Sequence, residues 1–349
     1  MKITASLTSL FTLLILVLAG LFFLNLVSGS VLIPVREVIP VLFGSEYGIS
    51  DAHYAIIREF RLNQALTALV SGAGLAVAGL LMQTIFRNPL ADPSILGISS
   101  GASLGVALLM MFTGTTSGQF FLQNGFWGSL GISAAASAGA FAVLLVILLV
   151  SRHIGNMISI LIIGLMISYI GGALTGLIKY YSQKDDIYAF VLWGMGSFSN
   201  VDSQTILYLM LIILLALVAA FLLVKPLNLL LLGERYAFAL GSHVRRNQWF
   251  ALLIGGLLTA VITAFAGPIA FIGLAVPHMA RNLFRSSDHR ILMPATIITG
   301  ASLALFCNWL ARLPGFDGSL PINAITSLIG APMVIWIIVS RRRFYSENS

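Results

Sequence analysis

The chain has 349 residues, of which 58% are hydrophobic and only 9% charged, with 19 Lys and Arg against 12 Asp and Glu. A mean hydropathy of +0.99 excludes a soluble globular domain, whose surface is about a quarter charged. The formal charge of +7 follows the membrane topology set out below and so lends no support to nucleic-acid binding.

About ten apolar stretches are long enough to cross a hydrocarbon core of ~30 Å, which takes ~20 helical residues. They lie near 5–28, 64–86, 94–113, 125–150, 155–178, 203–224, 247–266, 269–285, 291–311 and 320–340. The expected fold is therefore all-α, a single polytopic membrane domain over residues 1–349. The first stretch has the outline of a secretory leader, with Lys2 ahead of an apolar run that ends in LVSGS. Its apolar core exceeds the ~7–15 residues of a cleaved leader, so it reads as a retained helix.

Between the second and third spans, RNPLADP (87–93) reads as a turn, because Pro89 and Pro93 cannot continue a helix. Asp92 or Ser94 is placed to cap the helix that follows. Small residues then recur four apart, at Gly97, Gly101 and Gly105 and again at Gly164, Ser168, Gly172 and Gly176. Each set predicts a flat stripe on which helices can pack closely. After the sixth span, LLLLGERYAFALGSHVRR (229–246) is too polar to cross the membrane and too apolar for a free loop. It predicts one or two short helices at the membrane surface. An interfacial helix and a docking surface for a cytoplasmic protein both fit that pattern.

Drawn with both ends on one side, the ten spans collect Lys2, Arg87, Arg152, Lys225, Arg235, Arg245, Arg246, Arg281, Arg285, Arg290 and Arg341 to Arg343 on that side. Arg36, Arg58, Arg61, Lys179, Lys184 and Arg312 remain for the other. This bias predicts cytoplasmic termini. No Asp, Glu or Lys sits centrally in a span, where coupling to an ion gradient would need one. The histidines show no metal-ligand spacing, and there is no carboxylate dyad or nucleophile elbow. Cys307 is the single cysteine, which excludes a disulfide or redox pair within the chain. No catalytic residue, metal ligand or bound cofactor is expected. With no Gly-Lys dipeptide there is also no Walker A loop to cradle a nucleotide.

Four segments in order, RLNQALTALVSGAGLAVAGLLMQTIFRNPLADPSILGISSGASLG, LLGERYAFALGSHV, GPIAFIGLAVPHMARNLFRSSDHRILMPA and LPINAITSLIGAPMVIWII, resemble the permease subunits of ATP-binding-cassette importers for iron–siderophores, haem and vitamin B12. The likeness runs from about residue 58 to 340. It implies a ten-span permease in the bacterial cytoplasmic (inner) membrane, paired with a second copy or a homologue, with the pathway between the two. It further implies separate cytoplasmic ATPase subunits that hold ATP and Mg, and an extracytoplasmic substrate-binding protein. The implied cargo is an iron chelate, siderophore or haem, with vitamin B12 as the alternative. A gradient-driven carrier is a weaker rival, because it calls for intramembrane ionisable groups.

Carried over by position, the ATPase-coupling segment is 229–243, with Gly233, Glu234, Tyr236, Ala237, Leu240 and Gly241. Outer-face arginines that attract the binding protein match Arg61 and Arg312. Gln64 stands where the vitamin B12 member has a third basic residue, and Arg58, a turn before Arg61, can substitute. Pathway residues are expected at Ser168, Gly172, Thr175 and Ser327.

Overall fold

The structure, a computed structural model, describes residues 2–29, 31, 33–44, 49–112, 125–313 and 320–346. In chain order its helices are α1 (Lys2–Val27), α2 (Val35–Leu42), α3 (Asp51–Ile85), α4 (Ile98–Phe112), α5 (Gly125–His153), α6 (Met157–Tyr181), α7 (Lys184–Gly194), α8 (Thr205–Leu222), α9 (Val224–Leu231), α10 (Glu234–Ala239), α11 (Val244–Ala266), α12 (Ile272–Phe284), α13 (His289–Leu310) and α14 (Ile322–Ser346). No strand occurs among the described residues. α3 is continuous through a π-helical turn at Ile56–Arg61, so it begins a dozen residues before the apolar stretch that announced it.

Every expected span contains a helix, and seven of them are long and apolar enough to cross a membrane. α4 and α12 are shorter, and in α14 the apolar stretch is the short Ile322–Ile335. α4 starts at Ile98 because Pro93–Leu96 form a 3₁₀ turn, whose cap is Asp92: its carboxylate accepts the Ser94 N–H at 2.8 Å. α12 has 13 residues, or ~20 Å at 1.5 Å per residue, against a core of ~30 Å. Residues 267–271 run non-helically into it. Lipid offers no hydrogen bonds, so such backbone is tolerated only where protein satisfies it. Asn323 Oδ1 accepts the Ala270 N–H at 3.1 Å, and the Ala266 carbonyl accepts the Ser197 N–H at 2.8 Å.

α3 is the central helix. Its apolar window is 89% buried, against 17% for α6 and 11% for α1, and it packs on α13, α11, α12 and α8. Lipid is as apolar as a leucine side chain, so helices in a bilayer associate through close packing. Glycines on α3 supply that closeness. A Cβ on Gly72 would overlap the Gly300 carbonyl of α13, and one on Gly79 would overlap the Gly273 carbonyl of α12. The predicted α4 stripe behaves likewise, with Gly101 against Gly139 and Gly105 against Ala135 of α5.

Replacing Gly79 with Ala should therefore force α3 and α12 apart and cost about 1–3 kcal/mol. Thermal unfolding of the purified protein in detergent measures this. Gly176→Ala, where nothing lies within 4 Å, should stay within about 0.5 kcal/mol of the parent.

Candidate functional site

The segment 229–243 folds as the end of α9 followed by α10, two short helices as its composition suggested. Gly233 at φ 113° and Gly241 at φ 79° bracket α10, in backbone regions that residues with a Cβ rarely occupy. Ala237 is fully buried and packs α10 onto the body, whereas Tyr236 is 69% exposed and Leu240 62%. Leu231, Leu232 and Phe238 are exposed too. Such a patch marks a contact with another protein or with lipid. Glu234 is already engaged within the chain, accepting from Gln248 Nε2 of α11 at 3.0 Å. Ala237 thus supports the surface from beneath and presents nothing to a partner.

Behind this surface is a polar cluster that the sequence did not announce. Asn228 of α9 donates through Nδ2 to Asp288 Oδ1 at 2.6 Å. Its Oδ1 accepts the backbone N–H of His289 and meets His289 Nδ1, both at 2.8 Å. On the far side of the ring, Nε2 lies 2.9 Å from Thr84 Oγ1 in the last turn of α3. The Arg290 N–H first, and then the Asn228 amide, hold the Asp288 carboxyl below the ordinary carboxylate range. Nearby, His278 Nε2 meets the Pro89 carbonyl at 2.7 Å and Arg281 donates to Gln83 Oε1 at 2.6 Å. The loop after α3 is thereby tied to α12.

Toward the opposite end of α3 lie Arg61, on α3 itself, and Arg312, just after α13, and neither is a free surface charge. Arg61 is buried at 4% exposure. It donates to the Leu26 carbonyl at 2.9 Å, to that of Val27 at 2.7 Å and to that of Val31. Arg312 donates to Asn25 at its carbonyl (3.0 Å) and Oδ1 (2.8 Å), and Asn308 donates to the same Oδ1 at 2.8 Å. Both guanidiniums thus sit on the C-terminal carbonyls of α1, where unpaired C=O groups and the helix dipole favour a cation. Burial first, then the charge of Arg61, push Arg312 down to about 10, which leaves it a cation at neutral pH. Arg58 is the exposed member of the three, and Gln64 is buried.

The four expected pathway residues do not share one face. On α6 the packed side is Ile160, Gly164, Gly171 and Thr175. A spacing of four overruns a 3.6-residue turn by about 40° each time, so a stripe read as 164, 168, 172, 176 winds around the helix. Gly164 lies against the backbone of Ile95 and Leu96, while Gly172 and Gly176 have nothing near them. Ser168 is half-buried with its hydroxyl on the Gly164 carbonyl at 3.0 Å. Thr175 is buried, its hydroxyl unpaired among the described residues. Ser327 bonds to the Asn323 carbonyl at 2.6 Å on α14, which packs on α12 and α13 while α6 packs on α4 and α5.

A cavity of about 1020 Å³ opens between the Arg61 end of α3, α5, α7 and the segment 195–204, lined by Glu59, Asn63, Trp193, Asn200 and Asp202 among others. None of the residues singled out in the sequence borders it. No group of three His, Cys, Asp or Glu able to hold a metal occurs among the described residues.

Residues 14–340 match the FecCD transport family. The hemin transport system permease protein HmuU of Yersinia pestis is 37% identical over 295 residues, covering 84% of this chain and 86% of that protein. The vitamin B12 import system permease protein BtuC of Klebsiella pneumoniae subsp. pneumoniae is 37% identical over 287 residues, covering 82% and 83%. A solved structure of a metal-chelate type ABC transporter in an inward-facing conformation superposes with a TM-score of 0.81 at 30% identity, covering 95% of this chain and 99% of that one.

Truncating Arg61 to Leu should strand buried carbonyls at the end of α1 and cost about 1–3 kcal/mol. The corresponding change at exposed Arg58 should stay within about 0.5 kcal/mol. Melting curves of the two variants, recorded side by side, discriminate a structural clamp from an idle surface charge.

Proposed function

Since this chain belongs to the FecCD transport family and is the permease subunit of an ABC importer, we propose that it moves an iron chelate, a siderophore or haem, from a binding protein into the cytoplasm. Support comes from the likeness to a hemin permease and to a metal-chelate transporter. The likeness to vitamin B12 permeases at equal identity keeps cobalamin as the second reading. The permease is not itself an enzyme, and two separate ATPase subunits would bind ATP and Mg.

In this reading the Thr84 end of α3 faces the cytoplasm together with both termini, as the distribution of basic residues suggests. The ATPase then seats the exposed side of α10, Tyr236 and Leu240 entering its cleft and Glu234 lying at the rim. Gly233 and Gly241 provide the turns at either end of this six-residue helix, which lies on the body with one side exposed. The exposed apolar patch on α10 is the observation that carries this assignment. Ser168 and Gly172 would border the pathway once a second copy, or a homologue, covers α6, whose outward face is unpacked in the single chain, whereas buried Thr175 lies on the packed side of α6 and Ser327 on α14 would reach the pathway only from another helix. Arg58, Arg61 and Arg312 would form the docking region for the binding protein, with Arg58 supplying the accessible charge and the other two holding α1 in place.

Vesicles that contain the permease, its ATPase and its binding protein test the cargo. ATP should drive accumulation of ⁵⁵Fe-haem or of a ferric siderophore, and excess cobalamin should not compete; ATP-driven cobalamin uptake alone would favour the second reading. In the same vesicles, Arg58→Glu should slow loading by the binding protein more at low salt than at high, because exposed charges are screened within ~10 Å at 0.1 M.

Converting Tyr236 and Leu240 together to Asp should abolish co-purification with the ATPase and uptake alike, while the permease still folds and inserts. Each change puts a charge where an apolar contact is made, at several kcal/mol if desolvated. Retention of both activities would mean that α10 is only an interfacial helix.

A further inference from the structure

We infer that the Asn228–His289–Thr84 cluster transmits displacement of the coupling helices to the loop that follows α3, with His289 as its positioning residue. This rests on the reading of α10 as the ATPase contact and goes beyond it, since it names the route by which movement leaves that surface.

Three helices meet at one imidazole. His289 is 1% exposed and Thr84 5%. The amide of Asn228 holds one ring nitrogen at 2.8 Å and the Thr84 hydroxyl meets the other at 2.9 Å. The oxygen of Asn228 faces His289, because its nitrogen is committed to Asp288. That oxygen also receives the His289 N–H, so the ring nitrogen on that side donates to it. Around the cluster, Leu227, Leu230, Leu80 and Leu292 are buried and apolar. Apolar surfaces can slide over one another at little cost. A hydrogen bond in a dry site cannot, because separation leaves buried polar atoms unpaired at about 1–3 kcal/mol each. The cluster therefore makes α9, α13 and the end of α3 move together.

What lies beyond Thr84 gives this consequence. The loop after α3 is held by Asn88 N–H on the Gln83 carbonyl at 3.2 Å and by His278 on Pro89. It leads directly into the Asp92-capped turn, whose Ile95 and Leu96 backbone rests on Gly164 of α6. A push on α10 thus has a continuous physical route to α6 that passes through His289. Adjacency alone does not establish coupling, so the experiment must read movement on each side of the histidine separately.

Cys307, the single native cysteine, is buried, so an introduced cysteine takes the label. In the permease–ATPase complex, an environment-sensitive fluorophore is attached at His243→Cys, just past α10, or at Leu90→Cys in the loop; both side chains are exposed. ATP with Mg should change both signals. In Thr84→Val or Asn228→Ala the His243 response should persist and the Leu90 response should fall roughly fivefold. Thr84→Ser, which restores the hydroxyl, should recover it. The double variant should lose no more than the worse single one, because both cuts lie on one chain.

An unchanged Leu90 response per assembled complex overturns the inference, even where the amount of complex falls, because that is what a merely structural cluster would show. Losses that multiply in the double variant overturn it as well. If the label at His243 fails to respond in the otherwise native complex, the reading of α10 itself fails and the inference goes with it.

Discussion

The closeness of α3 to α12 and α13 is the constraint on which the other features depend. In a bilayer no hydrophobic force draws one apolar helix to another, so the bundle is held where backbones can touch. Gly72 against Gly300 and Gly79 against Gly273 make two such contacts along one helix. They bring α3 to the centre, and its two ends then become the places where polar groups from several helices must be satisfied.

Those ends solve the problem with different chemistry. At one, buried Arg61 and half-buried Arg312 have no carboxylate partner among the described residues, because the open carbonyls of α1 supply the negative potential. At the other, an amide, an imidazole and a hydroxyl meet in sequence, and Asp288 lies at the rim. The first arrangement fixes a peripheral helix against the core. The second joins the core to a segment that is not fully covered, and this makes it the mechanically interesting end.

Two surfaces are left incomplete by the single chain. α10 presents Tyr236, Phe238 and Leu240 to its surroundings, and α6 is packed along only one side. A permease that depends on a motor and on a second membrane subunit would be built this way, with its own core saturated and its partner faces apolar and uncovered. The cavity at the Arg61 end is of the size of small-molecule sites but lies apart from the α6 and α14 residues.

Composition and hydropathy alone determined that this is an all-α membrane protein with a helix in each of ten places, because burying twenty apolar side chains per crossing leaves an unmistakable linear pattern. The surface segment at 229–243 was legible too, since Gly233 and Gly241 punctuate a stretch that is neither span nor loop. What required the tertiary structure was everything that depends on which way a side chain points. Arg61 and Arg312 look like surface charges in sequence, and only the position of α1 turns them inward. The Gly164 to Gly176 stripe looks continuous until the 3.6-residue turn carries Gly172 and Gly176 away from the packed face. The His289 cluster draws on residues 84, 228 and 289, which no local pattern connects. Hydropathy records how apolar a segment is as a whole, whereas the polar clusters at the two ends of α3 are contacts between segments, and those exist only once the glycines have let the helices meet.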